Sequence, residues 1–490
     1  MSVHRPDDTA ASTGDTRREE IRSVVTLSVP IVITMCSRVV MDVSDFTMMK
    51  WLGPDAQAAL LPGQVMLWCY IVLGIGIVSM VSTFASQCLG RKRYADCSAY
   101  AWQGVYLSLL FGLLGLALRP SLPAVVAWMG HEPQIQQLEL AYLNIAVFAI
   151  APTLAAAALS HFFNGIHRPR VTMWSAIEGN VVNAVLSLVL IFGLAGCPKL
   201  GIAGAAWGTL AGTVYRTLRL AITMCGRGYA EPYAGRRTWR PDRVKIAGVL
   251  RVGAPSGIQL VSDVIVWTVF INILVGKYFG TVHLIATNVV WQYLRISFMP
   301  CLGIGFALTA LVGRAIGESD CARAVRLARI AIAGMALYMA VLSVIYFVGR
   351  HSFVALFNGD PQIVRIGASV LICASIFQVF DAMGMGYNSA LRGAGDTLWP
   401  SVVFVVTHWV IVIGGGFAMV HLFPELGSLG PWIAATVLII LVGWVMWWRW
   451  HARKWMTIDL LGQEEDAGLA PGDRAEPALA GSAAASEASS

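Results

Sequence analysis

The 490-residue chain has few charged residues. Asp, Glu, Lys and Arg make up 13% of it, whereas apolar residues make up 57%. A soluble domain carries about 25% charged residues, so the deficit excludes a soluble globular enzyme of this length. A hydrocarbon layer roughly 30 Å thick is crossed by about 20 apolar residues in a helix. Runs of this kind recur along almost the whole sequence, which predicts an integral membrane protein whose first partner is the lipid bilayer.

Sequence signatures of catalysis are also missing. The chain contains no HExxH motif, no glycine-rich phosphate loop and no recognisable pairing of a nucleophile with a base. The nine cysteines show no paired metal-ligand spacing and lie mostly in apolar stretches, which indicates small buried side chains rather than disulfides or zinc ligands. The formal net charge of +7 comes from one set of loops, so no nucleic-acid partner is predicted.

The chain is predicted to be an all-α polytopic membrane protein with twelve transmembrane helices in two six-helix bundles. The apolar segments are 24–49, 58–87, 98–118, 138–162, 171–194, 201–225, 246–276, 283–313, 325–349, 366–391, 400–422 and 429–450. They define a tail (1–23), an N-terminal bundle (24–225), a linker (226–245), a C-terminal bundle (246–455) and a second tail (456–490). The Ala, Gly, Ser and Glu content of the last segment predicts disorder.

The two halves resemble each other in sequence. "SVPIVITM" from Ser28 is similar to "VGAPSGIQL" from Val252, and "LGIGIVSM" from Leu73 is similar to "LGIGFALT" from Leu302. Chance likeness between apolar stretches is the alternative. An even number of segments in each half predicts parallel repeats related by a pseudo-two-fold axis along the membrane normal, with the sites between the halves near mid-membrane.

Basic residues are unevenly distributed between the loops. Lys and Arg collect in the N-terminal tail, in the loops that follow even-numbered segments and beside the last segment. Cytoplasmic loops carry this excess, so both termini are predicted to be cytoplasmic.

Ionisable residues inside the predicted segments are the strongest functional signal, because each costs at least ~2.5–3.5 kcal/mol at the bilayer centre. Arg38, Asp42 and Asp45 share one face of the first segment. Arg38 and Asp42 are four residues apart and can pair within the helix. That pairing would leave Asp45 as the less compensated acid. A purely structural ion pair is the alternative interpretation.

Two further acids lie in the C-terminal half. Asp263 in the seventh segment and Asp381 in the tenth have no Lys or Arg within one turn of their own helices. A desolvated carboxylate without a cation takes up a proton or binds a cation, which is the property of an ion-coupling site. Structural hydrogen bonding to a neighbouring helix is the alternative.

Other polar side chains share faces with these acids or form faces of their own, and helix–helix hydrogen bonds would explain them equally well. His161 and His408 are interpreted as packing or interfacial residues. The candidate cavity or supporting residues, besides Arg38 and Asp42, are Asn180 and Asn183 in the fifth segment, Gln259 in the seventh, Asn288, Gln292 and Arg295 in the eighth, and Phe377 and Asn388 in the tenth.

Several motifs resemble those of the multidrug and toxic compound extrusion (MATE) family. "VSDFTMM" around Asp45 resembles the acidic motif of the first helix, and "APSGIQLVSD" the start of the seventh. "IFQVFDAMGMG" resembles the acidic motif of the tenth helix. "FFNGIHRPRVTM" and "ALRGAGDTLWP" resemble the loops that follow helices four and ten. The likeness covers about residues 22–455.

The resemblance implies a monomeric, bacterial-type inner-membrane antiporter that exports organic, cationic solutes in exchange for sodium ions or protons. It needs no cofactor beyond that ion. Asp45, Asp263 and Asp381 are the expected ion-coupling residues, with a possible sodium site at Asp263 and Asp381. A lipid-linked oligosaccharide flippase of the same superfamily and a membrane-embedded enzyme are the alternatives.

Three departures from the family pattern leave the coupling ion open. Phe377 stands where the sodium-coupled branch has a tyrosine, and Ser187 stands where the proton-coupled prokaryotic branch has an aspartate. Arg38 is not typical of the family.

Overall fold

The computed structural model describes residues 7–462, and within that range it contains helices and no β-strand. Side chains are described from residue 17 onward, except those of residues 50, 54–58, 60–63, 128 and 129. Twelve long helical units make up most of the described chain. They are α1 (Asp7–Lys50), α2 (Pro54–Val78 and Met80–Gly90), α3 (Tyr94–Ala117), α4 (Pro133–Ala146 and Ile150–Gly165), α5 (Pro169–Phe192), α6 (Ile202–Cys225), α7 (Arg243–Val269 and the π-helical Phe270–Lys277), α8 (Thr281–Gly317), α9 (Cys321–Phe357), α10 (Pro361–Ala394), α11 (Leu398–Thr407, the π-helical His408–Gly415 and Gly416–Leu422) and α12 (Leu429–His451).

Each predicted membrane segment coincides with one of these units, which confirms the all-α membrane fold. Among the described residues, eleven helical stretches are long and apolar enough to cross a membrane, and α6 is the unit outside that set. Arg216 and Arg219 lie within α6. Prolines inside α1, α7 and α8 (Pro30, Pro255 and Pro300) remove a backbone donor from the helix ladder and favour bends there.

Parts of both predicted tails are folded in the structure. Helix α1 begins at Asp7, inside the segment predicted as a tail. Glu20 in that part of α1 is 6% exposed, and its Oε1 lies 2.8 Å from Arg326 Nε of α9. The predicted disordered tail begins too early, because residues 456–462 are folded against the helices. The remainder, 463–490, lies outside the described residues.

The C-terminal segment (residues 454–462) joins the end of the chain to the N-terminal half. Leu460 and Leu461 are 6% and 1% exposed, and they belong to an apolar cluster formed mainly by N-terminal helices. Asp459 Oδ1 lies 2.6 Å from Arg91 Nη2 in the loop after α2. Composition predicted disorder here, but two leucines and one ion pair are enough to fix the segment.

Four helices (α2, α4, α8 and α10) end in the same turn. The left-handed residue of each turn is Lys92 (φ 60°), His167 (φ 60°), Ser319 (φ 62°) or Gly395 (φ 90°). Its N–H bonds to the carbonyl three residues earlier, and the next N–H reaches back five residues, which is the Schellman arrangement. The turn follows the second and fourth helix of each half, as the predicted repeat requires.

The halves meet at the end of the bundle that carries the loops after α2, α4, α6, α8 and α10, which we call the basic end. Thr83 Oγ1 donates a hydrogen bond to Arg392 O at 3.0 Å, and Gln87 Nε2 donates one to Gly393 O at 3.0 Å. Both bonds join the second part of α2 to the last turn of α10. The described contacts between the halves therefore include direct side-chain to backbone bonds at this end.

Glycines allow α2 and α8 to touch backbone to backbone at the basic end. A Cβ atom on Gly317 would lie 2.2 Å from Gln87 O, and one on Gly90 would lie 2.3 Å from Arg314 O. A backbone oxygen cannot rotate away as a side chain can. The closed basic end therefore depends on the absence of two methyl groups.

We expect Gly317→Ala to destabilise the closed basic end by about 1–3 kcal/mol, because the added methyl group forces two helices apart. The matched control is Gly334→Ala in α9, where a Cβ meets nothing within 4 Å. That change should be neutral or stabilising by roughly 0.5–1 kcal/mol, since alanine favours the helix. Thermal unfolding of the purified proteins measures both effects. Equal stability of the two variants would contradict the inferred contact.

Candidate functional site

Arg38 and Asp42 form an ion pair on α1 where this helix faces α8. Arg38 Nε lies 3.3 Å from Asp42 Oδ1, which is the pairing expected from their four-residue spacing. Arg295 Nη2 of α8 lies 3.9 Å from Asp42 Oδ2. The three side chains are 38–46% exposed, so the cluster faces open space rather than a protein core. One carboxylate thus lies between guanidinium groups from the two halves.

Asp45 has a different environment from Asp42. It is only 4% exposed, and its Oδ1 has no hydrogen-bond partner among the described residues. Met48 and Met49, in the next turn of α1, join an apolar cluster that includes Tyr142 of α4. Burial of a carboxylate without a partner is costly, so this group needs a proton or a cation. The structure therefore separates a paired acid from an unpaired one on the same helix.

Asp263 of α7 lies beside a histidine from another helix. Its Oδ1 accepts a hydrogen bond from Trp267 Nε1 at 3.0 Å. His408 Nε2 of α11 lies 3.8 Å from the same oxygen. The packing role predicted for His408 is incomplete, because the ring also faces a carboxylate. Sequence could not show this contact, since the two residues are on different helices.

The other nitrogen of His408 fixes the proton arrangement of the ring. His408 Nδ1 lies 2.7 Å from Phe404 O, and a carbonyl oxygen can only accept, so Nδ1 must carry a hydrogen. In a neutral ring Nε2 then has only a lone pair, which faces Asp263 Oδ1. Two acceptors oppose each other unless one proton is added to either group. A proton on either group removes that repulsion, although the 3.8 Å separation is too long for a hydrogen bond between the two atoms.

Asp381 of α10 completes the acidic group in the C-terminal half. It lies within electrostatic range of Asp263 and makes no hydrogen bond or ion pair with the side chains that the structure describes. Phe377, one turn earlier, is 3% exposed and lies in the apolar core. Gln378 is 1% exposed, and neither polar atom of its side chain has a partner among the described residues. The sequence analysis missed this glutamine.

The helices that carry Asp263 and His408, α7 and α11, both contain a π-helical stretch. The stretch in α11 begins at His408 itself, and the stretch in α7 begins at Phe270, shortly after Trp267. Such stretches are rare in proteins, and those that do occur are often found at functional sites. They change the register of the side chains that follow.

The remaining candidates divide into helix–helix contacts and groups without a partner. Asn180 Nδ2 donates to Ser37 O (2.9 Å), Asn183 Nδ2 donates to Thr209 Oγ1 (3.1 Å), and Gln259 Oε1 accepts from Ser401 Oγ (3.0 Å). These three bonds tie α5 to α1, α5 to α6 and α7 to α11. Asn288 and Gln292 are exposed on α8. Asn388 Oδ1 is buried without a partner among the described residues.

Comparison with known proteins identifies a family. The MatE family model matches residues 30–189 and 260–417. A probable multidrug resistance protein NorM from Rhizobium meliloti (strain 1021) is 28% identical over 444 residues, which cover 87% of this chain and 92% of that protein. A protein of the same name from Rhodopseudomonas palustris is 29% identical over 443 residues, covering 89% and 92% respectively.

Solved structures share the fold. A multidrug resistance MATE family transporter of the MOP superfamily, in an outward-facing conformation, superposes with a TM-score of 0.81 at 21% identity, covering 90% of this chain and 97% of that one. A MOP superfamily transporter from Pyrococcus furiosus gives a TM-score of 0.80, with the same identity and coverage. Both have the twelve-helix, two-lobe arrangement described above.

A double-mutant cycle measures the strength of the Arg38–Asp42 ion pair. We expect Asp42→Asn to lower stability, because it leaves Arg38 and Arg295 beside a neutral amide. Adding Arg38→Gln to Asp42→Asn should restore part of the lost stability. The side chains are more than a third exposed, so the coupling in a water-filled space should not exceed about 1 kcal/mol. Thermal unfolding of the two single variants and the double variant measures it. A double variant whose loss of stability equals the sum of the two single losses would contradict the pairing.

Proposed function

The chain belongs to the MatE family of membrane transporters, and from this premise we propose that it is an antiporter that exports organic solutes in exchange for a cation. It is a multi-pass membrane transporter and not an enzyme. The relatives named as probable multidrug resistance proteins support amphipathic drugs or toxins as substrates. The observation that carries the proposal is the uncompensated acid pair Asp263 and Asp381 inside the C-terminal half.

We propose that Asp263 and Asp381 hold the coupling cation. Among the described residues no Lys or Arg reaches either carboxylate, and the one basic neighbour is His408 at 3.8 Å from Asp263. The opposed acceptors of His408 and Asp263 favour a proton, since a proton on either group turns their repulsion into attraction. Phe377 offers no oxygen to a metal ion, which weakens the case for sodium. Sodium at the same two acids is the second candidate.

The charge balance favours cationic substrates. Arg38 and Arg295 both lie near Asp42, so they compensate one acid. Among the described residues, Oδ1 of Asp45 on the same helix has no hydrogen-bond partner, and no Lys or Arg reaches Asp381 in the other half. Even with Arg216 of α6 counted beside Arg38, the four acids outnumber the three cations, and such an excess attracts positive solutes and disfavours the pyrophosphate of a lipid-linked oligosaccharide.

The contacts between the halves support a proposal of alternating access. Close backbone contacts between α2 and α8 lie at the basic end, so the described state is closed there. We place the basic end in the cytoplasm, on the positive-inside rule. The transporter would then load the coupling ion from the opposite side. Each ligand shifts the equilibrium between states only through its different affinity for them.

Efflux of a fluorescent organic cation from proteoliposomes tests the coupling site. A pH gradient should drive efflux by the wild type, and a sodium gradient alone should not. Asp263→Asn and Asp381→Asn should reduce the driven rate to that of protein-free liposomes, because neither amide binds the ion. His408→Asn should slow proton-driven efflux, since it retains a donor for Phe404 O but removes the nitrogen facing Asp263.

The matched control is Asp360→Asn, which changes an acid at the start of α10 that caps the helix. Asparagine caps equally well, so this variant should transport normally. Undiminished efflux by Asp263→Asn would overturn the site. A response to sodium alone, lost in the same two variants, would retain the site but replace the proton.

Orientation is tested by labelling single cysteines in intact cells with an impermeant thiol reagent, against the parent chain as background. Arg237→Cys in the loop after α6 should stay unlabelled until the membrane is permeabilised. Glu425→Cys, in the loop between α11 and α12 at the opposite end, should be labelled at once. Both side chains are exposed in the structure. The reverse pattern would place the basic end outside.

A further inference from the structure

A cavity of about 520 Å³ lies between the halves at the basic end. We call it the interhalf cavity. Its walls come from the loops after α2 and α4, from the linker after α6 and from the last turn of α8. The residues used below are Lys92, Tyr94, His167, Arg168, Arg314 and Glu318. The cavity thus has contributions from both halves of the chain.

The charge in the interhalf cavity is predominantly positive. Lys92 and Arg168 are exposed, and neither side chain makes a hydrogen bond or ion pair with any residue that the structure describes. Arg314 Nε lies 2.8 Å from Glu318 Oε1. Glu318 Oε2 is in turn 2.6 Å from Arg323 Nη1, so the single carboxylate is already shared between two guanidinium groups. Lys92 and Arg168 therefore remain free to bind an anion.

His167 orients Arg314 without adding charge. Burial, together with the neighbouring Arg314 guanidinium, lowers the pKa of His167 to about 4, so the ring is neutral at pH 7. Arg314 Nη1 donates to His167 Nδ1 at 3.5 Å, and His167 Nε2 donates to Ala310 O at 3.3 Å. These contacts hold the guanidinium of Arg314 at the wall of the cavity.

Two helices begin at the interhalf cavity without a side-chain cap. Tyr94 is the first residue of α3, and Arg168 is the N-cap residue of α5; neither helix start has a side-chain capping bond. The helix dipole favours an anion at such ends, and Asp96 in the first turn of α3 offsets part of that preference at one of them. The helix ends thus favour an anion independently of the lysine and arginine side chains, which favour an anion too.

Backbone strain is tolerated where the turns line this cavity. Lys92 and His167 occupy left-handed positions that cost a non-glycine residue roughly 1–2 kcal/mol. The equivalent turn after α10 has Gly395, which avoids that cost. Lys92 and His167 thus present side chains to the cavity from left-handed positions, whereas Ser319 in the corresponding turn after α8 does not line it.

We propose that the interhalf cavity binds a phosphate-bearing anion, held by Lys92 and Arg168 of the N-terminal half and by Arg314 of the C-terminal half. The phosphate belongs either to a phospholipid headgroup or to a soluble phosphate. In both cases the anion bridges the halves and stabilises the closed basic end. Separation of the halves would divide its ligands between them.

The test uses the full chain in phosphatidylcholine nanodiscs. Inorganic phosphate is titrated at constant ionic strength against chloride, and the unfolding temperature is recorded. A second arm replaces part of the phosphatidylcholine by phosphatidylglycerol and counts retained lipids by native mass spectrometry. Ligands that bind the folded state raise the unfolding temperature in a saturable way.

The variants are chosen to fold. Lys92→Asn places a residue that tolerates the left-handed backbone, and Arg168→Gln changes an exposed side chain. Each should weaken apparent affinity roughly tenfold, as expected for the loss of one charge-assisted contact. Lys92→Arg should retain binding. The matched control is Arg170→Gln, because Arg170 is an exposed arginine two residues away that does not line the cavity.

Saturable protection by phosphate, weakened in Lys92→Asn and Arg168→Gln but not in Arg170→Gln, would support a soluble anion as the occupant. The same pattern with phosphatidylglycerol alone would support a headgroup. Protection by neither, or equal protection in all three variants, would overturn the proposal.

Discussion

The structure depends on the inability of hydrocarbon to solvate a polar group. Every backbone N–H and C=O at membrane depth must bond within the protein, so the chain is built from helices. The same constraint removes most charged side chains from the spans. The few charged residues that remain in the membrane-spanning segments are therefore strong candidates for function. Arg38, Asp42, Asp45, Asp263 and Asp381 are visible in the sequence for that reason, before any tertiary contact is known.

The contact between the halves follows from the same constraint. Apolar side chains gain little by leaving lipid for protein, so helices associate through close packing of small residues and through backbone contact. Gly90 and Gly317 meet carbonyl groups of the facing helix, and Thr83 and Gln87 add hydrogen bonds. Such an interface fits closely or separates as a unit, because backbone groups cannot deform one by one.

The sequence predicted what is local. The Arg38–Asp42 pair follows from a four-residue spacing, and the helices follow from the apolar runs. It could not predict that His408 faces Asp263, because that contact depends on how α7 packs against α11. Gln259 was placed with Asp263 by helical spacing, but it bonds to Ser401. The composition of the tail did not reveal the folded Leu460 and Leu461, because two apolar residues barely change the average composition of that segment.

The internal repeat makes the difference between the halves interpretable. Arg38 is the eighth residue after Pro30 in α1, and Asp263 is the eighth residue after Pro255 in α7. Equivalent positions thus carry opposite charges. In the N-terminal half the arginine pairs with Asp42 and leaves Asp45 alone; in the C-terminal half the aspartate faces a histidine. The two halves need equivalent backbones to form the repeat, and the four turns are equivalent in this sense. They do not need the same side chains at equivalent positions. The two halves can therefore offer different binding chemistry to the one interface that they share.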